Sequence, residues 1–151
     1  MIGFVLGWIY GHLFEWIIHR ILHYNRFKKR SSTLSFHFRE HHYKSRKNNF
    51  EDSSYSGLPI KKNAAGKEAF SLIVALVLHL PVLYLSKWFF LAIVLSLIEY
   101  YYKHRRAHTD REWARKNLPW HYDHHMGKDQ DANFGVRSDW IDIFFGTRKY
   151  I

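Results

Sequence analysis

Ten of the twelve histidines in this 151-residue chain fall into four short groups. They are His19-Arg-Ile-Leu-His23, His37-Phe-Arg-Glu-His41-His42, His104-Arg-Arg-Ala-His108 and His121-Tyr-Asp-His124-His125. Spacings of three or four residues put imidazoles on one face of a helix. Imidazole suits iron, zinc, copper and nickel. A metal takes about four to six ligands, so ten histidines exceed one site and fit two. A lone HxxxH pair is most simply an ordinary helix face, whereas four such groups in one short chain point to metal chemistry. A carboxylate beside a ligand can accept its free ring N–H and orient it. Glu15 lies four residues before His19 on the same face, and is a candidate for that role. Asp123 and Glu40, inside two of the groups, are either ring partners of the same kind or solvated charges. His12 and His79 stand outside the groups and read as buried histidines satisfied by a neighbouring helix. The chain has no cysteine, which excludes disulfides, thiolate zinc sites, cysteine-ligated iron–sulfur clusters and cysteine nucleophiles.

The groups need elements to bring them together. Residues 1–18 hold no Lys or Arg and one acid, Glu15. Residues 69–86 are apolar apart from Ser71, His79 and Ser86, and after Lys87 a third apolar run covers 88–102. As helices rising about 1.5 Å per residue these runs reach roughly 22–27 Å, slightly short of a ~30 Å hydrocarbon core. Local bilayer thinning or snorkelling accommodates such a shortfall. Of the 23 Lys and Arg, 22 fall on one side of a three-span arrangement, and only Lys87 sits in the connection between the second and third spans. The positive-inside rule makes that side cytoplasmic and puts the N-terminus outside. Two histidine groups then lie at the cytoplasmic ends of spans one and three. The other two lie in short helices, one across FHFREHHYK after the helix-start residues Ser31, Ser32 and Thr33, the other opened by Pro119 across WHYDHHM. Residues 45–67 read as a polar loop and Pro81 as a kink. The tail reads as a turn at Asn133–Gly135 followed by a helix capped by Ser138 and stopped by Gly146. The expectation is a single all-α domain over residues 1–151. It is an integral membrane protein of about three spanning helices, with a cytoplasmic cap of short helices carrying a histidine-rich two-metal site.

A net charge of +10 would by itself suggest nucleic acid or an anionic membrane surface. Nucleic acid is disfavoured, because the aromatic residues sit mostly in the apolar runs rather than on a soluble basic face. Metal transport would place ligands within the spans, where only His12 and His79 lie. The pattern resembles the fatty acid hydroxylase and sterol desaturase superfamily of membrane oxygenases, which carries HX3–4H, HX2–3HH, HX3H and HX2–3HH in this order. EWIIHRILH, YYYKHRRAH, PWHYDHH, DANFGV and WIDIFFGT extend the likeness from residue 15 to about 149. The resemblance implies two iron ions held by His19, His23, His37, His41, His42, His104, His108, His121, His124 and His125, with zinc an alternative in purified protein. It implies dioxygen as co-substrate and two electrons from a separate small haem or iron–sulfur donor, whose acidic surface would suit the basic cytoplasmic face. The implied reaction is hydroxylation of a C–H bond in a lipid of fatty acyl, sterol or carotenoid type that enters from the bilayer. Desaturation by the same chemistry, or membrane metal binding without catalysis, are the alternatives. Larger members have a membrane hairpin where this chain has only its first span. An outer helix of the substrate tunnel is then missing, which leaves substrate size open and makes a homo-oligomer a candidate state.

Overall fold

In the computed structural model, which describes residues 1–150, the first apolar run folds as one helix, α1 (Ile2–Leu22). A short turn of helix, α2 (Asn25–Lys28), reverses the chain. A π-helical stretch, His37–His42, then runs directly into α3 (Tyr43–Lys47). After an irregular segment come α4 (Ala64–His79), α5 (Val82–Leu85) and α6 (Lys87–Thr109). The remainder is α7 (Arg111–Asn117), α8 (Pro119–Met126) and α9 (Trp140–Phe144). No strand occurs among the described residues, so the protein is all-α as expected.

Side-chain caps set several of the starts. Asn63 accepts the N–H of Gly66, Ser86 that of Phe89 and Asp110 that of Trp113, each satisfying a donor the helix leaves free. Pro119 opens α8 at its first turn, where a missing N–H costs nothing. Asn133 adopts the left-handed conformation of a turn (φ 59°), and Gly146 (φ 67°) follows the end of α9. The tail departs from expectation in one respect: Ser138 does not cap α9, and its hydroxyl instead meets His12 Nδ1 at 3.0 Å.

The scaffold is the close crossing of α1 and α6. A Cβ on Gly7 would lie 2.6 Å from the Phe89 carbonyl oxygen, and one on Gly11 would lie 2.7 Å from Ser96 Cβ. Only glycine lets the two backbones approach so closely. Around this pair the usual distribution of side chains is inverted. Buried positions on α1 are Gly7, Gly11, Trp16 and His19, while Val5, Leu6, Ile9, Ile17 and Ile18 face outward. Phe70, Ile73, Val77 and Leu78 on α4, and Trp88, Leu91, Leu95 and Ile98 on α6, are likewise exposed.

The three expected membrane spans do not appear as three long apolar helices. α1 has 21 residues, interrupted by Tyr10, His12 and Glu15. The second run breaks at Pro81 into α4 of 16 residues and α5 of 4, because proline clashes with the preceding turn and has no N–H to continue it. α6 has 23 residues but turns polar from Glu99 onward. Among the described residues no helix is long and apolar enough to cross a membrane.

Candidate metal centre

All ten grouped histidines converge at one end of the α1/α6 pair, and none is more than 4% exposed. They form two adjoining sets. His19, His23, His37, His42 and His124 bring one ring nitrogen each within 4.8 Å of one another, and His41, His104, His108 and His125 do the same. His121 joins the second set, with its Nε2 3.1 Å from His108 Nε2 and its ring against His104 and His125. The division follows from helix geometry. α1 supplies His19 and His23, one turn apart, to the first set only, and α6 supplies His104 and His108, also one turn apart, to the second set only. In the π-helical stretch the i→i+5 closure brings His42 back over His37, and both enter the first set while His41 enters the second. On α8, His121 and His125 share a face and His124 points to the other set. The two adjacent-histidine pairs thus join the sets.

The hydrogen bonds fix the tautomers. Nδ1–H donates to the carbonyl oxygen of Phe134 from His19 (2.5 Å), of Ala132 from His124 (2.6 Å) and of Phe50 from His108 (3.0 Å). It donates to Asp131 from His23 (3.1 Å), to Asp52 from His41 (3.1 Å), to Glu68 from His104 (2.9 Å) and to the Gln130 amide oxygen from His42 (3.0 Å). Burial pushes His37, His41, His42, His121, His124 and His125 well below the ordinary histidine range, so these rings are neutral. In the seven rings whose Nδ1 proton is bonded to an oxygen, Nε2 is a bare lone pair. Yet the Nε2 atoms of His42 and His124, whose Nδ1 protons are both spent on oxygens, face each other at 3.1 Å. Two lone pairs at that distance repel unless a cation lies beside them. Two nitrogens each about 2.0–2.1 Å from one metal are separated by roughly 3.0–3.4 Å. The buried Nε2 atoms of His41, His104 and His125 have no partner either. The donor set therefore fits metal ions.

The carboxylates read from the sequence do not serve these rings. Glu15 Oε1 accepts the backbone N–H groups of Val136 (2.5 Å) and Arg137 (2.9 Å), and Glu15 meets no histidine. It is occupied because the returning tail presents free N–H groups beside the crossing helices. Asp123 pairs with Arg148 at 3.0 Å, and Glu40 pairs with Lys67. The acceptors that do orient the rings, Asp52, Glu68, Gln130, Asp131 and three carbonyls, were not legible, since they lie 8 to 115 residues from their histidines. His12 and His79 lie apart from both sets. His79 bonds the Tyr10 hydroxyl (2.8 Å) and its own helix at the Ala75 carbonyl (2.7 Å), as a satisfied buried histidine should.

An apolar cleft of about 510 Å³ runs between α1, α4 and α6. Phe14, Ile18, Val74, Leu78, Ile93 and Leu97 are among its walls, and His19, His37 and Glu68 line its inner end. A second groove of about 600 Å³, on the Phe4–Trp8–Leu95 side, is lined by no histidine. The family model described as fatty acid hydroxylase matches residues 4–147. No curated protein and no solved structure matches the chain.

Proposed function

The chain belongs to the fatty acid hydroxylase family, and from that premise we propose that it hydroxylates a C–H bond of a lipid, using dioxygen and two electrons from a separate donor. Two irons, when bound, supply the oxygen activation that an unactivated C–H bond requires. They would be held by His19, His23, His37, His42 and His124 on one side and His41, His104, His108, His121 and His125 on the other.

The rest is the work of the chain's own residues. Seven Nδ1–H bonds lock ring orientation, so the Nε2 atoms are already aimed before any metal arrives. The observation that carries the reading is the apolar cleft ending on His19 and His37. A hydrocarbon chain lying between Phe14, Val74 and Ile93 would exclude water from that end and hold one carbon against the histidine wall. No cysteine is present to hold an iron–sulfur cluster, and the exposed Lys29 and Arg30, which follow His23, suit an acidic haem or iron–sulfur donor.

The reading includes a membrane. The outward Ile9, Ile17, Val77, Leu78, Leu91, Leu95 and Ile98 are large apolar side chains left exposed on all three long helices, which suits contact with lipid. Sunk in a bilayer, this surface opens the cleft to lipid and leaves the basic end with the histidines and C-terminus in the cytoplasm, the N-terminus outside. A second copy seated over the cleft would make a homo-oligomer.

The test is iron-loaded protein in lipid vesicles, supplied with a ferredoxin–reductase couple and ¹⁸O₂. Lipid carrying one ¹⁸O atom is the expected product. Loss of two hydrogens without oxygen would convert the reading to desaturation, and unchanged lipid would contradict it.

A further inference from the structure

The two histidine sets differ in what stands behind them. Behind the second set are two buried carboxylates: Asp52, fully enclosed, accepts from His41, and Glu68 accepts from His104. Each is held by a further donor. Asp52 Oδ1 accepts the N–H and O–H of Ser54 at 2.9 and 2.7 Å, and Glu68 Oε2 accepts the Tyr55 hydroxyl. Behind the first set are two backbone carbonyls and the Gln130 amide. Its one carboxylate, Asp131 behind His23, is 59% exposed and is shared with Lys28 at 2.6 Å.

Neutral imidazoles bring no charge to offset a dication, so the offset must come from the groups they touch. Two buried carboxylates, Asp52 fully enclosed and Glu68 at the inner end of the cleft, offset it strongly, whereas one solvated carboxylate beside a lysine is screened and partly cancelled. A carboxylate acceptor also makes its imidazole a stronger ligand, an effect typically worth 10–100-fold in metal affinity. We propose that the two metal positions are unequal: the one backed by Asp52 and Glu68 fills first and empties last, and the one beside the cleft, held by His19, His23, His37, His42 and His124, is the exchangeable position. Asp52 and Glu68 are thus positioning residues that set the order of metal loading. This rests on the two-metal reading above.

The experiment is a Co(II) titration of metal-free, detergent-solubilised full chain, followed by the visible absorption of bound cobalt and by chelator competition. Wild type should bind two equivalents in two steps. Glu68→Gln, which keeps an amide oxygen for His104 and loses the charge, should weaken the first step about 10–100-fold and leave the second in place. Gln130→Glu adds a carboxylate behind His42 and should tighten the second step by a similar factor, a gain that misfolding cannot imitate. His104→Ala should remove the first step and His23→Ala the second. Two equivalents bound in one step, or a Glu68→Gln effect on the second step instead of the first, would overturn the unequal positions while leaving a two-metal centre. Failure of wild type to bind two equivalents would overturn the two-metal reading itself.

Discussion

At the scale of single residues, the centre is defined by atoms that lack partners. His42 and His124 each spend their only proton on an oxygen, Gln130 and Ala132 respectively, and present bare nitrogens to each other. Removing one imidazole from such a set should cost one metal, not both. His124→Ala is expected to halve metal per chain, from about two to about one, and to abolish turnover; unchanged metal by elemental analysis would remove His124 from the ligands. Glu15 belongs to a different argument. Its side chain is 7% exposed, binds the tail at Val136 and Arg137, and neighbours the fully buried Arg137 guanidinium. Glu15→Ala should lower stability by about 1–3 kcal/mol, because the Val136 and Arg137 N–H groups lose their acceptor while Arg137 keeps Glu99 at 2.8 Å, with metal per folded chain unchanged; chemical denaturation beside metal analysis separates the two effects. The grouped histidines were legible because helix spacing puts both members of a pair close together in sequence. Their orienting partners were not: Gln130 meets His42 across 88 positions and Asp131 meets His23 across 108. One-turn spacing, which suggested Glu15, cannot see the tail that claims it.

At the scale of elements, each helix has a separable task. α1 and α6 each carry one histidine pair into one set, and their crossing at Gly7 and Gly11 sets how far apart those pairs lie. Gly11→Leu would drive its side chain into Ser96 and toward Arg137 Nη1. The expected result is about 1–3 kcal/mol of destabilisation together with loss of metal from the displaced His19 and His23, read by thermal unfolding and metal per chain. Normal metal content in this variant would mean the crossing does not position the centre. The helices bearing adjacent histidines do the joining, and the π-helical stretch is what lets His37 and His42, five residues apart, enter the same set. The sequence pattern indicated that a short helix carries FHFREHHYK but not its wider winding, because that depends on where the two sets sit. Pro81 was legible as a kink and acts as a break, since α4 ends at His79 and a new helix starts at Val82. The apolar runs were legible as helices. Their reading as complete spans finds no support in helix length, because polar residues interrupt α1 and occupy the last turns of α6.

At the scale of the whole molecule, the fold is built around histidine. The enclosed apolar side chains form two small clusters, around Phe50 with Leu118 and around Trp16 with Phe134, while the larger aliphatic side chains face outward. Such a molecule should associate with lipid: mixed with vesicles it is expected to float with them and to resist alkaline extraction. Recovery as a dispersed monomer in detergent-free buffer would contradict the bilayer placement. The cleft should be separable from the centre it ends on. Ala75→Trp would fill the space between Val74 and Ile93 and should cut lipid turnover at least tenfold while metal per chain stays at about two; undiminished turnover would show that the cleft is not the substrate channel. Everything in this account depends on the histidines holding metal. The decisive measurement is therefore metal per chain on detergent-purified protein grown with ample iron, beside a variant with His121, His124 and His125 all replaced. The account predicts close to two iron or zinc ions per wild-type chain and a clear fall in the variant. Folded wild-type protein with close to none would contradict it.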